Sequence, residues 1–126
     1  MRYNLLGMTD TAQYRSIMKI HIKNNSAFPN RIFAIGRGES GVETLEFVFS
    51  REWNALSKKI LFVSPSGSKF SVDYDGSPVN IPEEILNSRG ASLIYAMGEG
   101  KNRLRSTLPI ELVVVGSFPT ETENEV

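Results

Sequence analysis

The run from Glu43 to Phe62, ETLEFVFSREWNALSKKILF, constrains the fold more than any other part of this chain. Leu45, Phe47 and Phe49 fall on one side of an extended strand, and Glu46 and Val48 fall on the other. Successive side chains of extended backbone project to opposite faces, so this period of two is that of a half-buried β-strand. Further on, Ile60 and Phe62 alternate with Leu61 and Val63, giving two apolar faces, as in an interior strand. A polar turn between them carries Trp53, the one tryptophan, with Leu56 three residues later. That spacing suits a pair folded back over the end of an apolar layer. The other use of such a ring is to stack a ligand, and Leu56 beside it favours the closing role.

The rest of the chain repeats the theme. Met18, Ile20 and Ile22 alternate with Lys19, His21 and Lys23, Arg31 to Ile35 reads as a strand, and Phe70, Val72 and Tyr74 share one face of Lys69–Tyr74. Further strands are expected at 93–97 and 110–115, with a weaker one at 103–107. Turns are marked by Asn24-Asn25-Ser26, Pro65-Ser66-Gly67-Ser68 and Asp75-Gly76, the last as a hairpin-type turn. Short strands at such intervals predict an all-β fold, an antiparallel β-sandwich of immunoglobulin-like or jelly-roll-like form. One short helix is expected over 82–87. Pro82 suits its first position, Glu83 and Glu84 its first turn, and Gly90 a left-handed stop.

The sandwich domain is expected over 18–117. Residues 1–17 form an extension or arm, in which Asp10 and Gln13 would cap a helix over 12–18. Met18 then heads the first clear strand and is a candidate internal start. The acidic stretch 118–126 reads as a flexible tail or as a linker to a downstream domain.

Composition narrows the function. The 126 residues suffice for one domain with a real core, and fourteen basic residues balance fourteen acidic ones. That balance provides no net field and argues against a nucleic-acid partner. The chain has no cysteine, which removes disulfides, thiolate catalysis and cysteine-held metal. No apolar run, Leu112 to Val115 included, approaches the length of a membrane span, and no leader pattern opens the chain.

The chemistry-bearing residues are weak in this context. The one histidine, His21, lies on a polar strand face without a nearby carboxylate in sequence. Ser66-Gly-Ser-Lys69 and Ser16-Ile-Met-Lys19 have the Ser-x-x-Lys spacing but not the helix that puts serine and lysine on one face. Gly36-Arg-Gly-Glu-Ser-Gly41 lacks the Gly-Lys-Ser/Thr ending of a phosphate loop and reads as an inter-strand loop. Glu83-Glu84 and Asp73/Asp75 serve a helix start and a turn. No catalytic residue, metal ligand or cofactor site is assigned, and the chain reads as a non-enzyme. Lys101, Arg103 and Arg105 would project from one face of an extended segment and, with Arg37, are candidate contacts to an anion or acidic partner. Phe28, Phe33 and Phe118 are candidate interface residues.

Several segments together resemble a module of phages and prophages of Gram-positive bacteria. It occurs at the N-terminus of baseplate upper proteins and in related virion fibre proteins. The resembling residues are Glu43-Thr-Leu-Glu-Phe-Val-Phe49, Glu52-Trp53-Asn54-Ala-Leu56, Lys58-Lys-Ile-Leu-Phe62, Ile81-Pro82-Glu83-Glu84-Ile85-Leu86, Gly90 with the strand from Leu93, and Gly98 to Thr107. The family favours Trp-Asp-Gly-Leu where this chain has Trp53-Asn-Ala-Leu56. The resemblance covers about residues 18–117. It implies a compact β-sandwich docking onto a larger assembly, with other phage structural proteins or further copies of itself as partners. The expected location is the virion, and the host cytoplasm during assembly. The alternative is a phage counter-defence protein that sequesters a host factor or an anionic small molecule.

Overall fold

Alternating apolar residues decide which side of each strand meets its neighbours, and two stacked sheets result. The computed structural model describes residues 16–35 and 43–115. In chain order the strands are β1 (Ser16–Lys23), β2 (Ser26–Phe28), β3 (Arg31–Ile35), β4 (Glu43–Phe49) and β5 (Ser57–Val63). There follow β6 (Lys69–Tyr74), β7 (Val79–Asn80), β8 (Gly90–Gly100), β9 (Arg103–Ser106) and β10 (Ile110–Val115). One sheet has the order β2-β1-β4-β7 and the other β3-β10-β8-β5-β6, with β9 also paired to β8. Ile20, Ile22, Leu45 and Phe47 from the first sheet share a buried core with Ile60, Phe62, Ile94, Ala96, Ile110 and Leu112 from the second.

The expected all-β sandwich is therefore the fold, but its sheets are mixed. β1 runs parallel to β4, from Ser16↔Glu43 to Ile22↔Phe49, and β3 runs parallel to β10. The cause is the path of the chain. It leaves the first sheet after β2, lays β3 in the second sheet, and returns to the first as β4. A chain that crosses to the other layer and comes back need not reverse beside its earlier strand, whereas a hairpin must.

Two local expectations are corrected, and a third holds with a shift of one residue at its start. Residues 16–18 are strand, not helix, because the parallel partner β4 supplies their ladder; the remainder of the expected N-terminal helix lies outside the described residues. Asp75-Gly76 does not close a hairpin: β6 belongs to the six-stranded sheet and β7 pairs with β4 in the other. The helix near 82–87 is present as α1 (Glu83–Leu86), with Ile85 and Leu86 buried. Pro82 stands just before it, its carbonyl accepting from the N–H groups of Ile85 and Leu86 at 2.9 and 3.1 Å.

β7 accompanies β4 only at Thr44 and Leu45, so the next stretch of that edge needs another partner. Tyr74 reaches it from the opposite sheet. Its hydroxyl accepts from the Phe47 N–H at 2.9 Å and donates to the Phe47 carbonyl at 3.1 Å, in buried surroundings. Removing that oxygen leaves two buried backbone groups unpaired, so Y74F is expected to lower stability by about 2 kcal/mol in a denaturant titration.

Ser92 presents the opposite situation. It faces the core, and its hydroxyl has no partner among the described residues. Burial of an unpaired hydroxyl is unfavourable, so S92A is expected to raise the unfolding midpoint, by roughly 1 kcal/mol of stability.

Candidate functional site

Trp53 ends a 3-10 turn over Arg51–Trp53 and is wholly buried. Its surroundings explain why. The indole Nε1–H donates to the Asn24 carbonyl at 2.8 Å, and Asn24 adopts φ 57°, which asparagine tolerates better than most residues. The Asn24 N–H donates to Glu52 Oε2 at 2.8 Å, and the Ser50 N–H to the Ile22 carbonyl at 2.8 Å. The Phe49 ring lies 5.0 Å from the indole, and the Arg105 guanidinium 5.6 Å from it. Closed in on these sides, the ring offers no platform for a ligand. It fastens the β1–β2 turn to the turn after β4.

Glu52 is part of the same fastening. Hydrogen bonds from the Ser50 hydroxyl, its own backbone and Asn24, and then the attraction of Arg105, hold its carboxyl below the usual glutamate range. A value lowered on folding means that the contribution is complete above the unfolded value and is lost as pH falls through the folded one. The Asn24 amide should therefore lose protection against hydrogen exchange as acidification carries the pH below the usual glutamate range. E52Q should remove that pH dependence.

The basic series is divided by its hairpin. Lys101 sits in the β8–β9 turn, where Asn102 takes φ 59°, and Arg103 and Arg105 follow on β9. Arg105 is drawn over Trp53, while Arg103 is exposed. Arg37 lies outside the described residues. Arg103 and Arg105 thus share one face of β9, Lys101 stands off that strand in the turn, and Arg105 already engages the Trp53 ring. Asp75 accepts from the Ser77 N–H at 3.0 Å, and this bond, with the Ser77 side chain, holds its carboxyl low; Asp73 sits opposite Lys59 on β5. Asp75 serves the turn expected of the pair, whereas Asp73 lies on the β6 strand face.

Phe28 and Phe33 are both strongly exposed, at 76% and 56%, but on different sheets. Phe28 on β2 is the register partner of His21, which in turn pairs with Val48, so these form one row on the four-stranded sheet. Phe33 on β3 pairs with Val113, beside an ion pair between Arg31 and Glu111 at 2.9 Å. Phe118 lies outside the described residues.

One surface had no sequence signal. Near the β8–β9 hairpin, strands β5, β6, β8 and β9 enclose a depression of about 590 Å³. Met97 and Leu104 give it apolar surface, and Lys59, Asp73 and Glu99 give it charge. Its residues come from four strands and meet only through register: Asp73↔Lys59, Lys59↔Met97 and Met97↔Ser106. Leu104, 83% exposed, stands between Arg103 and Arg105 at its edge. Among the described residues no group of three or more His, Asp or Glu side chains is placed to hold a metal ion, and no helix is long and apolar enough to cross a membrane.

No family model matches the chain, and no curated protein matches it.

Proposed function

We propose that this chain is a non-enzymatic structural component of a phage particle, a baseplate, fibre or decoration subunit that works by protein–protein assembly. The observation that carries the reading is the exposure of a large aromatic residue on each sheet, Phe28 on one and Phe33 on the other. Phe28 shares its row with exposed Val48, and Phe33 shares its face with Val113 and exposed Val115. Apolar side chains grouped in this way, unlike single exposed ones, mark contact sites, and one such group on each layer suits a subunit held between neighbours. The resemblance of residues 18–117 to virion modules supplies the particle. Sequestration of an anion is less well supported, because Arg105 already covers Trp53.

Mass spectrometry of purified virions of the encoding phage or prophage tests the proposal, together with light scattering over a dilution series. The protein is expected in the particle, and a strict monomer that does not associate with virions overturns the reading.

A further inference from the structure

We infer that β6 is a self-pairing edge through which two copies of this chain join their six-stranded sheets about a two-fold axis. The inference deepens the assembly reading by naming a second copy as one partner. β6 is terminal in its sheet, and among the described residues its neighbour is β5 alone. At six residues it is longer than the other outer strands β2, β3, β7 and β9.

The direction of its backbone groups follows from the hairpin. The Ser64 N–H donates to the Ser68 carbonyl at 2.8 Å, one step beyond the pair Val63↔Lys69. Hydrogen-bonded and non-bonded pairs alternate along an antiparallel ladder. Residues 68, 70, 72 and 74 therefore turn their amides toward β5, and Lys69, Ser71 and Asp73 turn theirs toward the open edge.

An antiparallel pairing of two β6 strands centred on Ser71 uses those outward groups. It sets Ser71 against Ser71 and Lys69 against Asp73 at both ends, so the residues with outward amides oppose one another. The same register places opposite charges face to face twice. On the other face it puts Phe70 beside Val72, two half-buried residues that would cover one another. The other edges lack this match: β3 paired about Phe33 would oppose Arg31 to Ile35. The pairing also brings Lys69 of the second copy next to Asp73, at the rim of the depression.

Sedimentation of the full chain over a concentration series, with four variants, tests the inference. S71P removes an edge-facing N–H and leaves the β5 ladder intact, so it should fold and be monomeric. K69D and D73K each set like charges opposite at both ends and should weaken dimerisation roughly tenfold or more. K69D/D73K should restore it. The chain has no cysteine, so S71C gives a unique handle, and a short thiol-to-thiol cross-linker should join it into dimers. A monomeric wild type, or S71P that dimerises like wild type, overturns the inference. S71P recovered in virions at the wild-type level, in the dimeric form, also overturns it but leaves the assembly reading standing. A β6 dimer absent from virions supports the pairing and removes that reading.

Discussion

W53A is expected to lower stability by about 3–5 kcal/mol, the range for removing a large aromatic side chain from a packed core. Most domains of this size have only about 5–15 kcal/mol in total, so the variant should lose a large fraction of the protein's stability. Several losses coincide. The wholly buried ring leaves a cavity against Phe49, and the Asn24 carbonyl loses the indole N–H. With it goes the link that holds the β1–β2 turn to the 3-10 turn. W53F restores part of the volume but not the donor and should fall between the two. R105A removes only the cation beside the ring and should cost about 0.5–1 kcal/mol. Circular dichroism during urea titration measures all three, since the variants at Trp53 have no indole fluorescence. A W53A protein of near wild-type stability would contradict the closing role.

G98V is expected to cost about 3 kcal/mol, at the upper end of what overpacking a filled core brings. The strand that accepts Trp53 and Leu56 can do so because Gly98 and Gly100 have no side chains. A Cβ at Gly98 would stand 2.8 Å from Leu56 Cδ1 and 3.0 Å from Trp53 Cε3. Trp53 has no free space into which to retreat. At Gly100 a Cβ would stand 2.7 Å from Leu56 Cδ2, the end of a side chain that can be shortened. The two glycines should therefore respond differently to L56A. G100A should be destabilising alone and nearly silent in an L56A background, a coupling of about 1 kcal/mol or more. G98A should be only partly relieved, because the indole remains. Equal additive costs at both positions in that background would show that the close approach is not what disfavours the side chain.

The strands were legible where one face is buried. Lys69–Tyr74, Arg31–Ile35 and Ile110–Val115 are strands with the expected limits, because their residues alternate between core and exterior. β2 and β7 carried no such signal. At three and two residues they are too short for a pattern, and they exist because a longer strand lies alongside. The parallel pairs escaped sequence reading for a related reason. Alternation fixes which face of a strand is apolar but says nothing about its neighbour or its direction. Trp53 was correctly placed as a closing residue from its distance to Leu56, yet its Asn24 partner lies 29 positions away and left no local trace. The basic series shows the converse. Three cations spaced by two look like one strand face, but the β8–β9 turn takes Lys101 off the strand and Trp53 draws in Arg105.

The parallel placement of β3 against β10 also orders events during synthesis. β1, β2 and β4 leave the ribosome close together and can pair at once. β3 emerges among them, with Phe33 on its surface, but its partner is the last of the described strands to be made. Until then it is an apolar strand waiting for a mate, and a ribosome that pauses before residue 110 holds it in that state. Contacts of such long sequence separation also slow folding. The last of the described strands thus sets when the six-stranded sheet can be completed.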